Sequence, residues 1–281
     1  RWTRHGQMET DNLGKLLLIG EPEAEVAVVH SPALTDELAE YAWWAMPTIE
    51  NARLMLRREA VARGRMGKVL GDFLVEHLPF LQDDHPAILD TVAVLLTSGV
   101  LNEEQRAMIW RRGKRTNTYY VPFLEFAPDS VPEPDARPRH PPAAEALATL
   151  AAQGNAAASA LLWAFSARGQ ACLAAAAEVL ARPETQEVVN HLFNALGASF
   201  RPAGAAPDTP LTGLEAARAI CPELEPEWRA VEALARVSEA QLTQIFARSS
   251  AIGSLMRRKI APLVEPIMAH IRTLRGQATA G

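Results

Sequence analysis

A chain of 281 residues with 48% apolar content is long enough for two domains, or one large one, with packed cores. Its net charge of −5 gives no global basic footprint, which argues against bulk nucleic-acid binding. Helix formers dominate and runs of alternating β-branched residues are missing, so strands are not expected and the fold class is all-α.

Taken in order, the first elements are short and closely joined. Leu13–Ile19 ends at Gly20, and a helix from Pro22 to Val29 ends before Ser31-Pro32. Thr35 can cap the next helix, with Asp36 and Glu37 in the first turn, where the helix dipole favours negative charge. Pro47-Thr48 starts another, expected to run to Gly64. Met66, Val69, Leu70, Phe73, Leu74 and His77 then form an amphipathic stripe that Pro79 terminates. Asp84 and Pro86 open a helix closed by Gly99, and Asn102-Glu103-Glu104-Gln105 reads as a variant capping box for a helix stopping at Gly113. A last turn or two cover Tyr119–Phe126. The helices that start near Thr48 and His85 are spaced in the range of HEAT-like pairs, without a residue-level repeat, so the stack is HEAT-like or an irregular helical array.

Residues 127–142 contain Pro128, Pro132, Pro134, Pro138, Pro141 and Pro142. Proline removes a backbone donor and bars the preceding residue from helix, so this segment predicts an extended, semi-rigid linker. The expected organisation is therefore a stacked-helix region over 1–126, a linker over 127–142 and an Ala-rich helical bundle over 143–281. In the last part, helices are predicted near 143–153, 156–167, 170–181, 184–196, 213–220, 223–236, 239–252 and 254–275. Ser238 and Gln241 form a capping box, and Pro262 and Pro266 are expected to kink the final helix. The apolar window 156–181 is mostly Ala and is interrupted by Arg168, Gly169, Gln170 and Glu178, so it reads as two buried helices rather than a membrane span. Arg1–His5 shows no apolar signal-peptide region, two cysteines are too few for a disulfide scaffold, and a cytoplasmic location is expected. With no initiating Met, the chain reads as a fragment.

Several residues are candidates for function. Trp43 and Trp44 lie on opposite flanks of a helix whose face is centred on Leu38, Ala42 and Ala45. A helix packed on one side leaves at least one indole in water, and a sandwiched helix buries both. The sandwiched arrangement is the expectation, with a partner interface as the functional alternative. Arg106, Arg111, Arg112, Lys114 and Arg115 beside Tyr119 and Tyr120 resemble a small RNA- or phosphate-binding patch. A solvated helix C-terminus is the plainer reading of the same residues, and the spacing of a P-loop is absent. Arg257, Arg258 and Lys259 admit the same two readings. The seven histidines are scattered and form no metal-ligand motif, with His77 reading as a helix-end or core residue. Cys172 on an apolar helix face and Cys221 beside acidic residues read as inert thiols. No catalytic residue, metal or cofactor is nominated.

One set of strings resembles a known family. Arg1-Trp2-Thr3-Arg4-x-Gly6-Gln7, Gly20-Glu21-Pro22-Glu23-Ala24, Leu34-Thr35-Asp36-Glu37-Leu38-Ala39 and Ala42-Trp43-Trp44-Ala45-Met46-Pro47-Thr48-x-x-Asn51-Ala52-Arg53 resemble the DsrS family. These are the "sulfur reduction" proteins encoded with the dissimilatory sulfite reductase genes of sulfur-oxidising bacteria. The resemblance is best over residues 1–126, and Trp-Trp-Ala-Met-Pro is its most specific part. It implies a cytoplasmic, non-catalytic accessory or regulatory protein of sulfur oxidation whose partners are other proteins of that system. It also implies that family members extend further N-terminally, and it carries over no active-site residues. The alternatives are an RNA-binding post-transcriptional regulator using the Arg106–Arg115 patch and, more weakly, a thiol-dependent sulfur carrier or enzyme.

Overall fold

The structure is a computed structural model that describes residues 10–19, 21–82, 84–132, 134, 136–137, 141–247 and 253–277. Arg1–Gln7, Gly20 and Pro138, which entered the sequence analysis, lie outside the described residues. All regular structure among the described residues is helical, as the composition predicts. The chain divides by packing into two units, 1–109 and 110–281.

The first unit contains α1 (Thr10–Leu17), α2 (Pro22–Val29), α3 (Asp36–Ala45), α4 (Ile49–Leu56), α5 (Glu59–Ala62), α6 (Arg65–His77), α7 (His85–Ser98) and the start of α8 (Glu103–Arg112). Several starts and stops lie where local chemistry puts them. Thr35 Oγ1 accepts from Leu38 N at 3.3 Å, Thr48 Oγ1 from Asn51 N at 3.2 Å and Asp84 Oδ1 from Ala87 N at 3.0 Å. Asn102 and Gln105 form the reciprocal box, at 3.0 and 2.8 Å, and Gly99 ends α7 with φ 72°. α4 is eight residues long and α7 fourteen, so the array is irregular rather than a run of equal pairs.

The helix expected from Thr48 to Gly64 is broken. Arg58 is extended, and its guanidinium donates to the His30 carbonyl at 2.9 Å, so α4 stops at Leu56 and α5 starts at Glu59. The most consequential local feature is a cap supplied from a distance. The Asp36 carboxylate accepts from the backbone amides of both Arg65 and Met66 at 2.9 Å, satisfying the orphan donors that begin α6. It fits because residue 64 is glycine: a Cβ there would lie 2.2 Å from the Asp36 carboxyl. Asp36 thus ties α3 to α6, over a core that includes Leu38, Ala42, Met55, Leu70 and Leu74.

The second unit contains α9 (Tyr120–Phe126), α10 (Pro141–Ala152), α11 (Ala156–Phe165), α12 (Ala167–Ala181), α13 (Gln186–Ala198), α14 (Leu214–Ile220), α15 (Glu225–Ala235), α16 (Ala240–Phe246) and α17 (Gly253–Leu274). Its largest buried side chains are Trp228, Phe123, Phe193 and Phe200, and Trp228 Nε1 satisfies itself on the Cys221 carbonyl at 3.0 Å. Of the Ser238–Gln241 box only the return half forms, Ser238 N donating to Gln241 Oε1 at 3.4 Å. α17 continues through Pro262 and Pro266. Both residues are on the exposed side, where the carbonyls four residues back can be hydrated.

The division between units differs from the predicted boundary at 127–142. Tyr119, Tyr120, Val121, Phe123 and Leu124 are buried, and α9 packs on α13 and α12, so the segment before the prolines belongs to the second unit. Where it is described, the proline-rich segment is built into that unit rather than drawn out as an extended linker, and its last two prolines open α10. Pro128–Ser130 forms a 3-10 turn, Val131 is buried, and Arg137 sits at the centre of a polar knot. Arg137 Nη1 donates to the Thr273 and Leu274 carbonyls at 2.9 and 3.1 Å, capping the C-terminus of α17. Its Nη2 pairs with Glu227 Oε1 of α15 at 2.8 Å, its guanidinium lies 4.7 Å from the Phe165 ring centroid, and its backbone amide donates to the Phe165 carbonyl at 3.1 Å. Gln170 completes the cap, donating to the Leu274 carbonyl at 3.2 Å.

Two expectations follow. Asp36→Ala and Gly64→Ala each remove the same cap, and each should cost about 1–2 kcal/mol in urea denaturation. The double variant should cost clearly less than the sum, because both changes act on one interaction. Arg137→Ala leaves the buried Glu227 carboxylate without its ion-pair partner and takes one donor from each of the Thr273 and Leu274 carbonyls, and should destabilise the second unit by about 3–5 kcal/mol. Arg137→Lys should recover little, since one ammonium cannot span acceptors that a planar fork reaches.

Candidate functional site

α3 presents the tryptophan pair. Its buried residues are Leu38, Ala39 and Ala42, which face the rest of the unit. Trp43 is half-buried and meets Phe73 of α6 edge-on, with centroids 4.7 Å apart and planes at 77°. The stack continues to His77, whose ring centroid is 3.9 Å from that of Phe73 and whose Nδ1 lies 2.8 Å from the Phe73 carbonyl, so His77 is a helix-end residue. Trp44 is 88% exposed, and Tyr41, one turn earlier, is 57% exposed. This corrects the expectation of a sandwiched helix: α3 is covered on one side, and one indole stays in water as that geometry requires. Glu37 and Glu40 are exposed on the same side. Large aromatics left in water beside charged residues mark a contact surface more readily than a scattered aliphatic residue does.

The basic segment spans the end of α8. Arg111, Lys114 and Arg115 are exposed and Arg112 is half-buried, and none of the four has an ion-pair partner among the described residues. Elsewhere, equally exposed Arg63, Arg229 and Arg236 each sit 2.8 Å from a carboxylate. Arg106, a turn earlier on α8, is half-buried and engaged in a contact of its own. Tyr119 and Tyr120 are 5% and 4% exposed, so the two tyrosines read as members of the patch lie beneath its surface. Burial raises the pKa of both phenols. Tyr120 instead packs on Trp110, centroids 4.6 Å apart, and fills the space where residue 113 has no Cβ; one there would lie 2.3 Å from the ring. Arg257, Arg258 and Lys259 of α17 are also exposed, with no ion-pair partner among the described residues.

Both cysteines are buried. Desolvation, with Asp129 nearby, pushes the Cys172 thiol up to about 12, and burial with Glu223 raises that of Cys221. Neither is a thiolate at neutral pH. A cavity of about 450 Å³ in the first unit is lined by Leu56, Arg57, Glu59, Ala62, Arg63, Thr97 and Ser98. Its guanidinium groups are already matched, Arg57 by Asp90 and Arg63 by Glu59. Among the described residues no cluster of three His, Cys, Asp or Glu side chains could hold a metal ion, and no helix is long and apolar enough to cross a membrane.

No protein-family model matches the chain, and neither a curated protein nor a solved structure matches it. The interactions that sequence reasoning missed join residues far apart in the chain. Arg137 with Glu227 is one, and His191 with Glu125 is another, His191 Nδ1 lying 2.8 Å from Glu125 Oε2 between α13 and α9. No local pattern marks such pairs.

The Glu125 carboxylate raises the His191 pKa above 6.5, against desolvation, which lowers it. A raised folded-state pKa adds stability that is full below the unfolded value and is lost as pH rises through the folded one. The pair should therefore support the second unit below pH 6.5 and release it above that value. Burial lowers the pKa of His270, which works in the opposite sense as pH falls below 6.5. In thermal melts across neutral pH, His191→Gln should remove the loss of stability on the alkaline side and leave the acid-side loss. NMR titration of His191 should show its midpoint displaced upward.

Proposed function

We propose that the protein is a non-catalytic accessory or regulatory component of dissimilatory sulfur oxidation, acting in the cytoplasm through contacts with other proteins of that system. The observation that carries this reading is the exposure of Trp44, with Tyr41 beside it. Trp44 belongs to the Trp-Trp-Ala-Met-Pro string that resembles the DsrS family, and it serves no packing role. A buried string would be explained by architecture alone, whereas an exposed indole with a tyrosine beside it suits a partner surface. The carrier alternative draws no support from the cysteines, because a sulfur carrier needs an accessible thiolate and both thiols are buried with raised pKa.

The test separates the two indoles. Trp44→Ala should leave stability within about 0.5 kcal/mol of the parent, and Trp43→Ala should cost about 1–3 kcal/mol through its lost packing on Phe73. Affinity capture from sulfur-grown cells should recover a component of the sulfite reductase system with the parent protein and lose it with Trp44→Ala. A truncated interface tryptophan typically costs 2 kcal/mol or more, roughly a thirtyfold loss of affinity. Recovery of no such component by the folded parent protein defeats the reading.

A further inference from the structure

We propose that the Arg111–Arg115 turn in the second unit binds a chain of phosphates, as presented by an RNA backbone or by inorganic polyphosphate. This goes beyond the protein-contact reading and does not rest on it.

Three observations converge on the turn. The first is its anchorage. Gly113 lies against the buried Tyr120 ring, and Trp110 packs on Tyr120 and on Phe123, with centroids 4.6 and 5.3 Å apart. Backbone bonds from Arg115 N and Thr116 N to the Arg112 carbonyl, at 2.9 and 3.1 Å, close the turn. The cations therefore stand on a fixed frame, which lowers the ordering cost of binding.

The second is the absence of counter-charges. Arg111, Lys114 and Arg115 project into water with no carboxylate partner among the described residues, and the buried Nε of Arg112 has no acceptor. The third is a neighbour from another helix. The Asn117 side chain donates to the Arg182 carbonyl at 2.8 Å, which places the exposed Arg182, with no ion-pair partner among the described residues, at the C-terminal end of α12 beside the turn. The Glu178 carboxylate is engaged by Tyr120, whose pKa it helps to raise.

Cations this closely spaced match a ligand that carries a charge at every repeat unit, and a guanidinium fork suits phosphate oxygens. With Tyr119 and Tyr120 buried, neither tyrosine is free to stack on bases, so recognition rests on charge rather than on base sequence.

The experiment uses the full chain, fluorescence anisotropy and two labelled probes, an oligouridylate and inorganic polyphosphate, each titrated with KCl. A single strand loses roughly 0.7 in the slope of log affinity against log salt per phosphate neutralised, so the four cations of the turn give a slope of about −3. Arg111→Gln/Lys114→Gln/Arg115→Gln should reduce it to about −1, and Lys114→Gln alone should reduce its size by roughly 0.7. Arg257→Gln/Arg258→Gln/Lys259→Gln, equal in charge removed, should change neither slope nor affinity. Far-UV circular dichroism of all variants should match the parent. Binding of both probes supports a general phosphate-chain site, and binding of one alone identifies the source. Three results overturn the proposal: no salt-sensitive binding of either probe, an equal loss in the α17 variant, or poly-glutamate competing as well as the phosphate chains.

Discussion

The second unit is organised around one guanidinium. Arg137 is held by a carbonyl of α11, by a carboxylate of α15, by the last carbonyls of α17 and by the face of Phe165. A buried charge with one partner is a weak source of stability, because desolvation cancels most of the attraction. Here the charge is matched by a carboxylate, and the fork also satisfies helix-terminal groups that would otherwise be costly to bury. Removing the fork strands the Glu227 carboxylate and takes a donor from both α17 carbonyls, so several helices depend on a residue that belongs to none of them.

The first unit uses the same logic at a helix start. Asp36 sits in the first turn of α3, yet its oxygens serve α6. Fixing α3 to α6 on this side sets Trp43 on Phe73 and leaves the opposite flank, with Tyr41 and Trp44, facing outward. The exposed indole is thus a consequence of which face the cap selects. In the second unit Tyr120 plays a comparable part for the basic turn: it gives up solvent contact in order to hold Gly113 and the cations around it.

What was legible in the sequence was the chemistry that acts over three or four residues. Thr35, Thr48, Asp84, the Asn102–Gln105 pair and Gly99 mark real helix ends because their partners lie within a turn. The all-helical class follows from composition for the same reason. The packing division falls at residue 110 rather than at the prolines, because prolines report local backbone limits and not packing. Whether such a segment spans a gap or lies against a core depends on Arg137 finding partners much later in the chain. The wheel of α3 correctly placed the indoles on opposite flanks, but it cannot say how many neighbours a helix has. The basic patch was visible as a run of residue types, and its separation into projecting cations and buried tyrosines was not.

The Asp36 cap also makes two amides of α6 into a gauge of a different helix. In an ordinary cap the acceptor is next door, and the first-turn amides exchange with solvent whenever the helix end frays. The Arg65 and Met66 protons are covered by a carboxylate that arrives with α3. Their exchange with deuterium therefore keeps time with the undocking of α3, the helix that carries Trp44, while the rest of α6 stays closed.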